Sequence, residues 1–415
     1  MEQTTEDVRP EDAQATQLVV VAQLRRHLAG LMRIDAHEVL RQPDEVIVFR
    51  GQVEGDTEEA FEQISQRFSD AGYTAWLRDG ARGGHEVVAS KGELDRRTGR
   101  VWVNMVLLVA TILSVLYSGT VYALSYHNMF GSVETPSEAL NALIALPLTH
   151  LQMGIPFAAT LMGILLTHEL SHYFVARMYG SPVSLPFFIP LPVPDGLGTM
   201  GAVIVQRAPM RDRKAIFDIG VAGPLGGLIV AIPLLILGLS LSEVGTPADF
   251  DVPPGAQVLK EGDSLLYMGL KYAVKGEILP SAEEDVWQQR DVWLSPVAYA
   301  AWAGLLVTMI NLIPVGQLDG GHFSYALLGR FAWTLGYVLI GAMVAWGGWL
   351  AFNGNAAGGF WLLWSFLNLS MNRRHPPPLN DATKLGWPRV ALGVFMFVLF
   401  ILLLMPMPQQ VIPLP

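Results

Sequence analysis

Two short stretches of the sequence carry side chains suited to holding and using a metal ion. His168-Glu169-Leu170-Ser171-His172 sets two imidazoles four residues apart, which stacks them on one face of a helix. Glu169 lies one residue, about 100°, round that helix from His168, so its carboxylate stands beside the same ion and can take a proton from a bound water. Zinc lowers the pKa of such a water to about 7 in known hydrolases. A tetrahedral site that does chemistry needs a third protein ligand and an open position, and Asp319 is the best candidate. It sits in Asn311-Leu312-Ile313-Pro314-Val315-Gly316-Gln317-Leu318-Asp319-Gly320-Gly321, where Pro314 and Gly316 should break a helix and the paired glycines allow a close turn. Asn311, about two turns earlier, has an amide suited to a substrate carbonyl or developing oxyanion. The same amide suits backbone carbonyls freed near Pro314. His322 is expected to support the site or lie at the surface rather than ligate, and His127, His150 and His375 are expected to have no chemical role.

The chain has no cysteine, so a metal must be bound by His, Asp or Glu, and zinc, one ion per chain, is the expected one. Of 415 residues 51% are hydrophobic and 15% charged, which points to a membrane protein. Residues 1–100 hold 19 of the 37 acidic side chains, so a soluble part precedes a lipid-embedded one. The net charge of −10 and the lack of a long basic run argue against nucleic acid.

These elements must position the site. Residues 1–16 read as a disordered tail, 17–90 as a small α+β cytoplasmic domain, 91–100 as a basic linker and 101–410 as the membrane-embedded part. In the small domain, 18–24 suits a helix and 46–49 a strand. Asp56 should cap a helix carrying Ala60, Phe61, Ile64 and Phe68, with strands at 74–77 and 85–88. Apolar segments follow near 101–125, 155–178, 216–242, 296–315, 331–352, 358–371 and 388–406, close to the ~20 residues that span lipid. The fold class expected is mainly α, a polytopic helical membrane protein of about six to eight spans. Basic residues at 96–100, 207–214 and 373–384 put those loops, the small domain and the site on the cytoplasmic side. Residues 118–150 and the acidic loop 242–290 then lie outside, and 141–148 suits an interfacial or re-entrant helix. Leu185 to Pro194 is apolar but studded with proline, so an irregular or β-like segment beside a cavity is expected there. Ala222-Gly223-Pro224-Leu225-Gly226-Gly227 brings small residues to one region for close helix packing.

Taken together, these residues resemble the site-2 protease family of intramembrane zinc metalloproteases, which pairs His-Glu-x-x-His with Asn-x-x-Pro-x-x-x-Leu-Asp-Gly. Both patterns are met, at 168–172 and 311–320. Phe217 to Pro224 resembles the family's central span, and Leu185 to Pro190 with Val315 to Gly321 resembles its plastid and bacterial branch that lacks a PDZ domain. Ser171 departs from the glycine found in many relatives. The resemblance implies that His168, His172 and Asp319 bind zinc, that Glu169 is the general base, and that the substrate is a membrane-spanning segment of another protein. The implied surroundings are a lipid bilayer, and a bacterial plasma membrane is the expected one. A scaffold that keeps the fold but binds without cutting is the alternative.

Overall fold

In a computed structural model of the chain, the residues described are 10–40, 46–81, 83–92, 99–129, 135–193, 196–250, 257–283, 285, 287–370 and 374–413. They form two compact units, one of residues 1–97, 207–216 and 376–385, the other of 98–206, 217–375 and 386–415.

The first unit is built on α1 (Pro10–His27), β1 (Met32–Leu40), β2 (Val46–Val53), α2 (Thr57–Asp70), β3 (Tyr73–Asp79) and β4 (His85–Lys91). Its antiparallel sheet has the order β1-β2-β4-β3. One face, with Ile47, Phe49, Leu77, Val87 and Ala89, packs with Leu24 of α1, Leu28 just after it, and Phe61, Ile64 and Phe68 of α2 in one core. Asp56 caps α2 as its sequence position predicts, accepting from the backbone N–H groups of Glu58 and Glu59. The helix α1 begins at Pro10, inside the stretch read as a tail; residues 1–9 and most of the basic linker, 93–98, lie outside the described residues. The strand β1 was not expected, because it is an edge strand whose Arg33, Asp35 and Glu38 are charged and exposed.

The edge of β3 is not bare. Leu77 donates its N–H to the Leu379 carbonyl at 2.7 Å and accepts from the Asp381 N–H at 2.8 Å. The inserted segment pairs in turn with 210–212, through Leu379 N–H to Met210 O and Asn380 N–H to Arg211 O, both 2.8 Å. Glu58 pairs with Lys214 and Arg211, and Arg213 with Asp381 at 2.9 Å. Part of the basic cluster at 207–214 is thus neutralised inside this unit.

The second unit opens with α3 (Val101–Tyr126), α4 (Pro136–Thr149) and α5 (Ile155–Met178), the last preceded by a 3-10 turn. The proline-rich segment forms a hairpin, β5 (Phe187–Pro190) against β6 (Thr199–Val203). Asn104 of α3 donates to the carbonyls of Leu185 and Pro186, and Ser118 to that of Val193, which satisfies an irregular backbone beside a helix. Then come α6 (Arg213–Ser240, beginning in the first unit), β7 (Glu243–Gly245), β8 (Gln257–Glu261), α7 (Leu265–Lys275), β9 (Asp291–Trp293), α8 (Pro296–Asn311), α9 (Asp319–Leu328), α10 (Phe331–Phe352), α11 (Ala357–Ser370), α12 (Trp387–Leu403) and β10 (Gln409–Pro413). The strands pair as β7 with β9 and β8 with β10.

Four helices among the described residues are long and apolar enough to cross a membrane: Val101–Tyr126, Leu151–Met178, Arg213–Ser240 and Phe331–Phe352. The helices α8 and α12 are apolar but have only 16 and 17 residues, and α11 has 14. Length and composition thus support four spans among the described residues, and the count of six to eight is not confirmed. The segment expected at 296–315 is shortened because α8 stops at Asn311, just before the turn that Pro314 and Gly316 impose. Gly316 has a φ of +56°, in the region that favours glycine.

Candidate metal centre

The helices α5 and α8 lie side by side, with Gly304 of α8 so close to Ile164 of α5 that a Cβ would stand 2.8 Å from its Cδ1. That contact sets the end of α8, and hence the turn into α9, beside the second half of α5. The turn is compact because Gly320 and Gly321 sit against backbone: a Cβ would lie 2.1 Å from the Leu312 carbonyl oxygen and 2.3 Å from that of Gly316, respectively. Asp319 becomes the first residue of α9, its carboxylate turned to the two histidines.

His168 Nε2 lies 3.1 Å from Asp319 Oδ2, His172 Nε2 lies 3.2 Å from Asp319 Oδ1, and the two Nε2 atoms are 3.2 Å apart. Four donors at roughly 2.0–2.1 Å round a tetrahedral ion stand about 3.3–3.4 Å from one another. The two Nε2 atoms stand at close to that spacing and each approaches one oxygen of the Asp319 carboxylate, so the three side chains are placed to share one such ion. His172 Nδ1 donates to the carbonyl of Ile219 on α6 at 2.6 Å, which leaves the Nε2 lone pair facing the cluster. His168 and His172 are buried, and Asp319 is nearly so. Two buried imidazole nitrogens massed against a carboxylate are surroundings that a cation would stabilise. Among the described residues this is the one group of three or more His, Asp or Glu placed to hold a metal.

Glu169 is buried on α5 next to these ligands, and the Asn311 amide nitrogen lies 3.3 Å from His168 Nε2. All five residues singled out in the sequence thus converge. His322 stays outside the donor set. Its ring bonds instead to that of His375, which is buried rather than a surface residue of a loop.

The small residues of α6 form the wall against α5. A Cβ on Gly223 would lie 2.0 Å from His172 Nε2, one on Gly226 2.1 Å from Ser171 Oγ, and one on Gly227 3.2 Å from His168 Nδ1. The expectation of close packing is met, at the ligand rings themselves.

The model of peptidase family M50 matches residues 156–335, the stretch that contains His168, His172 and Asp319. These residues form an M50 peptidase domain. The M50 domain has curated relatives named probable zinc metalloproteases. One from Arabidopsis thaliana, "Probable zinc metalloprotease EGY1, chloroplastic", is 33% identical over 61% of this chain and 43% of its own length. Its Oryza sativa subsp. japonica namesake is 29% identical over 88% of this chain and 63% of its own. "Probable zinc metalloprotease EGY2, chloroplastic" from Arabidopsis thaliana is 30% identical over 66% and 45%. The chain thus spans about half the length of these relatives. Their names place them in chloroplasts, which gives no support to a bacterial plasma membrane. No solved structure matches the chain.

One polar cluster near the M50 ligands went unread in the sequence. Arg389 of α12 grips Asp218 of α6 with two hydrogen bonds of 2.8 and 2.7 Å, and the Tyr179 hydroxyl donates to the same carboxylate. A cleft of about 510 Å³ lined by Val175, Met178, Val221 and these three residues lies there. Opposite charges placed singly in two apolar helices were the available signal, since such charges in a membrane seek each other.

Proposed function

We propose that this chain is an intramembrane zinc metalloprotease that hydrolyses peptide bonds in or near the membrane-spanning segments of other proteins. One observation carries the reading: two imidazole nitrogens 3.2 Å apart, each within 3.2 Å of an oxygen of the Asp319 carboxylate, on helices whose neighbours are apolar, with a buried glutamate adjacent. His168, His172 and Asp319 would hold the zinc. Bound there, zinc would polarise a carbonyl and make water more acidic.

The chain's own residues do the rest. Glu169 takes a proton from the attacking water and gives it to the leaving amine, so that one peptide and one water become a carboxylate and an amine. Asn311 donates its amide N–H to the scissile carbonyl oxygen as that oxygen gains charge. Ile219 holds the His172 ring in the tautomer that ligates. A helical substrate hides its amides, so it must unwind first, and the β5–β6 hairpin offers strand edges for an extended segment. The exposed Met200 and Val203 of β6 support this placement. The basic loops put the centre toward the cytoplasmic face of the membrane or its organelle counterpart.

The test is Glu169→Gln. It should keep one zinc per chain, measured by elemental analysis, and lose cleavage of a membrane substrate by at least about 100-fold. The uncut proteins that accumulate with it identify the substrates. A mutant that binds zinc and still cleaves removes Glu169 from the mechanism, and a wild-type chain that binds zinc yet cuts no membrane segment favours a scaffold.

A further inference from the structure

The buried His375 serves neither the donor set nor the chemistry above, yet it is held by three other side chains. Its Nε2 lies 2.5 Å from Nδ1 of His322, so one ring donates and the other accepts. The two rings meet edge to face at 4.7 Å. Tyr325, itself fully buried, stacks on His375 at 4.8 Å. Trp333 donates its indole N–H to the His375 carbonyl at 3.2 Å, and the Arg374 guanidinium lies 5.4 Å from the Trp333 ring centre.

His322 and Tyr325 both belong to α9, the ten-residue helix whose first residue is Asp319. That helix is short and has no side-chain cap at its start, so its own hydrogen bonds fix it poorly. The contact on its first turn comes from α6: a Cβ on Gly220 would lie 2.7 Å from the His322 Cβ and 3.3 Å from the Asp319 carbonyl oxygen. His375 bears on the next residues along the helix. It closes the other side of the element that aims the carboxylate.

We propose that His375 is a positioning residue for the metal centre, anchoring α9 through His322 and Tyr325. This rests on the reading of Asp319 as a metal ligand.

The experiment uses the full-length protein in detergent, with zinc affinity read by chelator competition and cleavage read as kcat and KM separately. Wild type should bind one zinc and His168→Ala should not; if either fails, the reading of the centre falls and the proposal with it. With both in place, His375→Ala should keep one zinc per chain, weaken its affinity about tenfold or more, and lower kcat with KM unchanged. His375→Gln, whose amide can still hydrogen-bond to His322, should recover part of both and serves if the alanine variant does not fold. Wild-type zinc affinity and kcat in His375→Ala, or in His375→Gln where the alanine variant does not fold, overturns the proposal.

Discussion

Gly223 offers the sharpest test of how the metal centre is built. Its missing side chain is what lets α6 lie on the face of α5 that carries His172. A methyl group there would stand 2.0 Å from His172 Nε2, 2.4 Å from Cδ2 and 2.5 Å from Cε1. Non-bonded carbon and nitrogen atoms need about 3.5 Å, so the ring or the helix must move by roughly 1.5 Å. Ligand positions that work are held within about 0.2 Å, and the added carbon sits at the distance a zinc ion would take from that nitrogen, about 2.0 Å. Gly223→Ala should therefore abolish stoichiometric zinc and cut kcat/KM by 100-fold or more, since a misplacement of about 1 Å alone costs that much, or ~2.7 kcal/mol of barrier. Overpacking should also lower stability by about 1–3 kcal/mol. The assay pairs zinc content with cleavage of a reconstituted membrane substrate. Gly163→Ala on α5, where a Cβ meets nothing within 4 Å, is the control and should leave both unchanged. Gly226→Ala should fall between, because the Ser171 hydroxyl in its way is the end of a side chain that can rotate. A Gly223→Ala protein with full zinc and full activity would refute the packing argument.

Two further outcomes concern the segment between α6 and α8. Lys271 is fully buried, 2.7 Å from Asp263 and 3.3 Å from Asp291, so Lys271→Ala takes a cation from both carboxylates, leaving Asp291 with Lys260 at 3.6 Å, and should destabilise α7 by about 3–5 kcal/mol; hydrogen exchange of α7 reads it. Burial and the nearby Asp291 carboxylate push the Glu261 carboxyl up to about 7 from an ordinary 4.5. A carboxyl whose folded value is raised contributes stability that is complete below about 4.5 and lost as pH rises through about 7. The amides of the β8–β10 pair should thus lose protection, measured against their intrinsic exchange rates, between pH 5 and pH 8, and Glu261→Gln should flatten that dependence; equal protection in the wild type at both pH values would contradict it.

The fold was legible where one residue type decides local structure. Asp56 announced α2 because its carboxylate has backbone N–H groups to accept from, and Pro186 to Pro194 excluded a helix and left a hairpin. Where the outcome depends on a partner far along the chain, sequence gave no sign. The strand β1 carries charges because one of its edges is free, which erased the alternation that marks a strand. The pairing of 379–381 with β3 was illegible for a similar reason, since a proline-rich run becomes a strand only when an existing sheet edge supplies its hydrogen bonds.

The same division runs through the centre. Histidine, aspartate and asparagine are costly in an apolar helix, so their presence at 168, 172, 311 and 319 required a shared reason, and they meet within hydrogen-bond distance. The residues that aim them are of types with no such cost. Glycine at 223 reads as helix packing until the ring of His172 is seen to fill the space a methyl would take. His375 reads as a loop residue because its neighbours are prolines, and only the meeting of α9 with that loop gives its ring a partner. A ligand set can be read from what is chemically expensive. The groups that hold it in place are inexpensive alone and acquire meaning only when the chain has folded.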